Sequence, residues 1–398
     1  MLKLFKLVCF PLLLLYNLLF EIIPLSLSHT FRHLKLLSLC KYHKLKTVNV
    51  VVVGGGFLGS AVCQLLQGAR NVNVTLVDPK GFFEFTPSCP RLISDPARKR
   101  HIQIPFTDFL HKKQATFIQN EVVKVDKSHI SLKNQDIPFD YLVIATGSFY
   151  QLPPNLQTST RLFNSHKADH MFRAHERLLS SSRVLVIGGG ITGVELAAEI
   201  ATSHPDKKVT LVHSGKNLLP SIRNEGILRY VHKFLMDHNV TVILNQRVVA
   251  EERNGFATED QVLPADIAFF CGNGKPNSRL ISGNNDGIEV NQYFQYVSNS
   301  NIYAGGDILS SIDHKVDEKL AQNAELHAEF ISNNILISQE HFGGGPAPLE
   351  SYTPYKKLIV VSLGKYDGLI IWNNLFLTGF ITALVKEAIE WKTTIRYA

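Results

Sequence analysis

The residues best placed to do chemistry are three glycines followed by a carboxylate. Gly54, Gly56 and Gly59 stand in G-x-G-x-x-G spacing, with Gly55 and Phe57 inside the run, and Asp78 lies 19 residues past Gly59. Glycines so placed allow a tight turn and close backbone approach to a pyrophosphate, while the helix start just beyond them offers free N–H groups and a positive dipole end. A carboxylate at the end of the next strand can accept both hydroxyls of an adenosine ribose. The pattern recurs 134 residues on, as Gly188, Gly190 and Gly193, and the strand VTLVH (209–213) repeats VTLVD (74–78). Two copies predict two dinucleotides in one chain. In the second copy His213 replaces the acid, which removes the barrier a carboxylate sets against a 2′-phosphate. Glu195 and Glu199 follow at i and i+4 on the second helix. Glu195 falls near its nicotinamide-facing end, as a cofactor ligand or as one of two solvated helix carboxylates.

The elements that must hold these residues follow from pattern. Val50–Val53 is a β-branched run that predicts a strand, Ser60–Gln67 a helix and Val74–Val77 a second strand. Residues 116–146 alternate as short strands, Val123 among them, and close on Ala145, Thr146 and Gly147. Helices are predicted over Ser165–Ser180, Gly226–His238 and Lys319–Ile331. The tail reads as a two- or three-stranded meander before a helix. Phe376, Phe380, Ile381, Leu384 and Val385 there share one apolar face, as core packing or as a hydrophobic mouth at a bilayer.

The 398 residues can bury two or three domain cores. Of the net charge of +7, seven bases and one acid fall within residues 1–46, so the body, with 34 bases against 33 acids, stands at +1. That excludes a nucleic-acid reading of the basic pI and points the N-terminus at a membrane. Leu7–Leu27 is long and apolar enough to span a bilayer, though Pro11, Glu21 and Pro24 break it. Phe31–Lys46 mixes leucines with bases as an interfacial helix does. The readings are a membrane anchor with the catalytic body facing the cytoplasm, a mitochondrial targeting peptide, or a plain extension. The five cysteines form no C-x-x-C or C-x-x-x-x-C pair, which argues for a reducing compartment, and the 16 histidines show no spacing that calls for a metal.

Taken together, these motifs resemble the two-dinucleotide-binding-domain flavoproteins, which include pyridine nucleotide–disulfide reductases and type II NADH dehydrogenases. Within them the resemblance is to the ferroptosis-suppressor type of apoptosis-inducing-factor-like proteins. It is carried by VVVGGGFLGS (51–60), LVIATGS (142–148), GGGITGVELAAEI (188–200), VTLVHS (209–214), NIYAGGD (301–307), KLAQNAELHA (319–328), VSLGKYDG (361–368) and WKT (391–393). The missing cysteine pair sets the chain apart from the disulfide reductases.

The resemblance implies an α/β fold of two Rossmann-like FAD/NAD(P)-binding domains with a C-terminal α+β interface unit. The implied parts are an anchoring or targeting segment (1–46), the FAD-binding domain (47–160 and 276–340), an NAD(P)H-binding domain (161–275) and a C-terminal domain covering the flavin and acceptor site (341–398). FAD and NAD(P)H are the implied cofactors, and a quinone such as ubiquinone, in or at a membrane, is the implied acceptor. FAD contacts are expected from the first glycine loop, Asp78, Arg91, Val123, Ala145–Gly147 and Asp307, with Phe83 and Phe85 against the flavin ring. NAD(P)H contacts are expected from the second glycine loop, Glu195 and His213, with Glu195 and Lys386 matching positions implicated in activity. Two rival functions are a reductase of a small soluble electron carrier and a slow-turnover, flavin-holding signalling protein. Two departures stand out: Leu2 occupies the position of the myristoylated glycine, and Cys271-Gly272-Asn273-Gly274 replaces a Cys-Thr-Gly turn.

Overall fold

The computed structural model describes residues 46–398, apart from 111–114, 273, 311–318, 342–346, 355–357, 373–374 and 398. The expected anchor or targeting segment therefore lies outside the described residues, except for Lys46. Among the described residues no helix is long and apolar enough to cross a membrane.

The chain divides into two units. Unit 1 comprises residues 1–83, 105–148 and 276–354, and unit 2 comprises 84–104, 149–275 and 355–398. In unit 1 a six-stranded sheet runs in the order Gln295–Tyr296, Asn299–Ala304, Tyr141–Ile144, Val48–Val53, Val72–Asp78, Ala115–Gln119. Every pairing is parallel except the first. Parallel strands are covered on both faces and so read as continuous apolar runs. Val48–Val53 is buried at five of its six positions. The helix Phe57–Leu66 comes next in the chain, and the helix Ala321–Glu340 packs against it. The latter runs nine residues past the expected Ile331 because Asn333, Asn334 and Gln339, polar enough to suggest an end, are buried, Asn334 and Gln339 with backbone partners. The Gln339 amide reaches the carbonyls of Lys46, Arg70 and Asn71.

Unit 2 repeats the plan. Its five strands lie in the order Leu162–Asn164, Ile267–Phe270, Arg183–Ile187, Lys208–Val212, Thr241–Ile243, all parallel. The helices Ile191–Ser203 and Glu225–Asp237 serve this sheet. The unit also holds an antiparallel meander, Leu358–Leu363, Asp367–Trp372 and Leu375–Thr378, followed by the helix Phe380–Tyr397. The expected α/β fold with two Rossmann-like halves is thus present.

The last helix corrects one expectation. Phe376 belongs to a strand, and Phe380, Ile381 and Leu384 are exposed rather than packed in a core. The reason is electrostatic. The buried face of this helix is Thr382, Ala383, Lys386, Glu390, Thr393 and Tyr397, which turns toward buried charges elsewhere in the unit and leaves the apolar side chains outside.

Candidate dinucleotide and redox site

Each glycine loop shows why its glycines are required. In unit 1, Gly54 has φ +100°, and a Cβ there would lie 2.5 Å from the Ala145 carbonyl oxygen. At Gly59 a Cβ would come within 1.8 Å of the Gly54 carbonyl oxygen, whereas nothing lies within 4 Å of one built at Gly56. The loop is therefore tight against its own strand and open where a pyrophosphate backbone would pass. Gly56 caps the helix Phe57–Leu66 without a side-chain hydrogen bond, which leaves the first N–H groups to a ligand. By contrast, Asn224 caps Glu225–Asp237 with its side-chain oxygen.

The Gly55 amide donates to Asp78 Oδ2 at 2.7 Å and the Lys80 amide donates to Oδ1 at 2.7 Å. A carboxylate offers about four acceptor sites, so Asp78 keeps capacity for a ribose diol. Phe57 opens the helix and meets Phe83 edge-on at 5.1 Å. Phe83 and Phe85 are buried, and Val123 is exposed where the meander register shifts, between Val122 opposite Leu132 and Lys124 opposite Ser131.

The Ala145–Gly147 turn is pinned by Thr146 Oγ1 donating to the Asn277 carbonyl at 2.8 Å and by the Asn277 amide donating to the Gly147 carbonyl at 2.9 Å. Asp307 sits in the short turn Gly306–Ile308, and burial raises its pKa against the pull of Lys319. The Gly306 amide donates to His327 Nδ1 at 3.0 Å, fixing that turn. Asn277 and His327 were not singled out from the sequence. His327 stood inside a recognised run, and Asn277 follows the Cys271–Gly274 run by three residues with no expected role of its own.

In unit 2, Gly188 has φ +116°, and a Cβ at Gly193 would lie 1.7 Å from the Gly188 carbonyl oxygen. Gly190 again faces open space, and it caps Ile191–Ser203 with no side-chain bond. The wall against Gly188 is the Cys271 carbonyl at 2.7 Å, so Cys271-Gly272 takes the place that Ala145-Thr146 takes in unit 1. Cys271 and Gly272, at the start of the departing run, thus fill the same structural slot.

One turn into the helix Ile191–Ser203, Glu195 is buried among donors. Its Oε1 accepts from the Ser362 amide at 2.8 Å, from Ser362 Oγ at 3.1 Å and from Lys386 Nζ. Lys386 Nζ also lies 3.2 Å from Ser362 Oγ. All three residues are more than nine-tenths buried. Glu199 is bonded by Ser94, and burial raises its pKa although Ser94, Arg91, Arg98 and Lys386 pull the other way. Arg91 pairs with Glu387 and lies 4.0 Å from Glu390, and Arg98 meets Glu387 at 3.1 Å and Glu390 at 2.8 Å. Lys386, Arg91 and Arg98 thus face Glu195, Glu199, Glu387 and Glu390, and Asp95 also lies 3.6 Å from Arg98. The structure brings the two expected catalytic residues together. It gives Arg91 carboxylate partners, and two of its guanidinium nitrogens, Nε and Nη2, are buried with none. Ser362 stood inside the run 361–368 with no expected role, and Glu387 and Glu390 escaped the sequence, because the partners of all three lie 24 to 302 residues away.

Residues 48–328 match the family model described as pyridine nucleotide-disulphide oxidoreductase. The chain is 31% identical over 381 residues to ferroptosis suppressor protein 1 of Mus musculus, covering 87% of this chain and 95% of that protein. It is 28% identical to apoptosis-inducing factor homolog A of Dictyostelium discoideum, covering 85% and 88%. Among solved structures, the sulfide:quinone oxidoreductase of Aquifex aeolicus superposes with a TM-score of 0.77 at 20% identity, over 88% of this chain and 91% of that one. NDH2 from Plasmodium falciparum in complex with NADH gives 0.75 at 16%, over 88% and 97%. The chain belongs to the pyridine nucleotide–disulphide oxidoreductase family and is an FAD-dependent oxidoreductase that uses NAD(P)H.

Proposed function

We propose that this enzyme reduces a membrane quinone such as ubiquinone with NAD(P)H. The observation that carries the reading is the buried Glu195–Ser362–Lys386 cluster on the helix that opens at the second glycine loop. FAD held by unit 1 would supply the two-electron chemistry by which NAD(P)H, the quinone and one solvent proton become NAD(P)+ and quinol.

The protein's part is to bind, orient and hold protons. The Gly54–Gly59 loop and Asp78 are assigned to the FAD pyrophosphate and ribose, with Val123, Ala145–Gly147 and Asp307 along the rest of the cofactor. The Gly188–Gly193 loop, Glu195 and His213 are assigned to NAD(P)H. Lys386 neutralises Glu195 and, with Ser362, fixes its carboxylate orientation. Arg91 stays within the proposal as a positioning group that ties the segment Thr86–Ile93 to the last helix through Glu387.

A membrane acceptor is favoured by the exposed Phe380, Ile381, Leu384, Trp391 and Ile395 on the helix Phe380–Tyr397, beside Lys392 and Arg396. Aromatic and aliphatic side chains next to bases suit a lipid–water boundary. The name of the Aquifex aeolicus neighbour, sulfide:quinone oxidoreductase, is consistent with a quinone acceptor. Residues 1–46 are assigned to membrane association, with the body on the cytoplasmic side.

The test is anaerobic stopped flow on the full chain in detergent. NADH or NADPH bleaches the flavin absorbance, and a short-chain ubiquinone restores it faster than buffer does. Return at an unaccelerated rate defeats the quinone assignment. Lys386→Met leaves a buried carboxylate without its cation, a loss of about 3–5 kcal/mol in a buried pair. It is expected to slow quinone-driven turnover about 100-fold or more, and Lys386→Arg recovers part of it.

A further inference from the structure

Glu195 and Glu199 lie one turn apart on the helix Ile191–Ser203, and a spacing of four puts them on one face. Their partners differ in kind. Glu195 is met by two groups that can only donate, the Ser362 amide and Lys386 Nζ, besides the Ser362 hydroxyl. Glu199 is 7% exposed, and among the described residues its carboxyl has a single hydrogen-bond partner, Ser94 Oγ. A hydroxyl can donate or accept. Ser94 Oγ also lies 3.1 Å from the Arg91 carbonyl oxygen, which can only accept. Its one proton can therefore turn to Glu199 when that carboxyl is ionised. It can turn to the carbonyl when the carboxyl carries a proton and donates to Ser94. Both protonation states are met by rotating one hydroxyl, with no heavy atom moved. Ser94 is itself only partly buried, which puts it between the carboxyl and water. The surroundings pull Glu199 both ways. Burial favours the proton, Arg91, Arg98 and Lys386 favour its release, and burial prevails. Glu387 and Glu390 on the last helix engage Arg91 and Arg98, Asp95 flanks Arg98, and His175 Nδ1 meets the Ile93 carbonyl beside Ser94 at 2.8 Å.

We propose that Glu199 holds the proton the reaction consumes: Ser94 charges it from solvent, and it releases that proton as quinol forms. The inference deepens the proposed quinone reduction and rests on it. NAD(P)H gives up two electrons and one proton as a hydride equivalent, the quinone takes them, and quinol needs one proton more. That second proton leaves a Glu199 carboxyl oxygen, and a water proton replaces it by way of Ser94 Oγ. The release takes place one turn from Glu195 and Lys386, whose ammonium also stabilises the ionised Glu199 left behind. A carboxyl held above its ordinary range works as an acid nearer neutral pH. Its part is to store and deliver a proton, while orientation of the dinucleotide stays with Glu195.

The experiment joins infrared spectroscopy with anaerobic stopped flow, both on the full, flavin-loaded chain in detergent. In wild type the carbonyl stretch of a protonated carboxyl should persist well above the pH at which an exposed glutamate has ionised, and it should move with isotope-labelled glutamate. Glu199→Gln should abolish that band. Ser94→Ala should shift it, and Ser94→Thr, which keeps the hydroxyl, should return it toward wild type. With a short-chain ubiquinone, return of the flavin absorbance should slow about 100-fold or more in Glu199→Gln. Bleaching by NADH, which needs no second proton, should slow far less. The wild-type return should weaken as pH rises through the raised pKa of Glu199, and Glu199→Gln should lose that dependence. Absence of the band in wild type, its survival in Glu199→Gln, or a quinone-driven return equally fast in both overturns the inference and leaves the quinone assignment standing. A wild-type return that ubiquinone does not accelerate overturns the quinone assignment and this inference with it.

Discussion

The two glycine loops are built to one pattern but finished with different chemistry. Both place a glycine with φ near +100° against a carbonyl wall, both need a glycine five residues on, and both leave the middle glycine facing open space. They differ at the residue that closes the second strand: a carboxylate in unit 1 and an imidazole in unit 2. The shared part is dictated by backbone sterics, which any bound pyrophosphate imposes. On the proposed assignment, the differing part decides what the ribose meets. A scaffold used twice can therefore diverge in ligand through one side chain, without cost to the turn that positions it.

The largest expected effect comes from breaking the shared part. Gly59→Ala and Gly193→Ala each drive a methyl into a carbonyl oxygen at 1.8 Å and 1.7 Å. Overpacking against backbone costs about 3 kcal/mol or more. The two loops should nonetheless lose different ligands. Gly59→Ala should purify without flavin, while Gly193→Ala should keep its flavin and bind NAD+ at least about 100-fold more weakly. Equal loss of flavin in both would show that the loops do not serve separate ligands.

A smaller effect is expected from Asp78→Asn. The amide oxygen can still accept from Gly55, but the charged acceptor for a ribose is lost, which is worth about 1–3 kcal/mol. Flavin retention, measured by dilution and fluorescence of released FAD, should weaken about 10- to 100-fold. Unchanged retention would remove Asp78 from the flavin assignment.

The smallest is a pH effect that sharpens the contrast between Glu195, surrounded by donors, and Glu199, buried with a raised pKa. A carboxyl whose folded pKa lies above its ordinary 4.5 binds a proton more tightly when folded. Its contribution is complete below the unfolded pKa and is lost as pH rises through the raised folded value. Glu199→Gln should therefore match wild-type thermal stability in acid and exceed it at neutral pH. A constant offset across that range would mean that Glu199 does not hold the proton.

The fold was legible because its determinants are local. The Val50–Val53 and Val184–Val186 runs announce buried parallel strands, and the glycine spacing announces the tight turn and helix after each of them. The structure also shows Cys271-Gly272 filling the slot of Ala145-Thr146, which spacing alone left unsettled. The charge cluster was only half legible. Glu195 was marked by its place on the second helix and Lys386 by resemblance, but Ser362, Glu387 and Glu390 are joined to Glu195, Lys386, Arg91 and Ser88 by tertiary packing that no local pattern encodes. For the last helix the sequence left core packing and an exposed mouth both open for the same reason. Period alone says which residues share a face, and the buried charges decide which face turns inward.

The interleaving of the units has a consequence during synthesis. The strand Tyr141–Ile144 pairs with Val48–Val53 on one side and waits for Asn299–Ala304 on the other. At about 5–20 residues per second, a ribosome needs roughly 10–30 s to deliver that partner. All five strands of the unit 2 sheet, from Leu162 to Phe270, emerge in the meantime. The sheet that begins later in the chain is thus the first to be complete. The earlier one carries an open edge until its last parallel strand arrives, and Gln339 fastens it to Lys46, Arg70 and Asn71 later still.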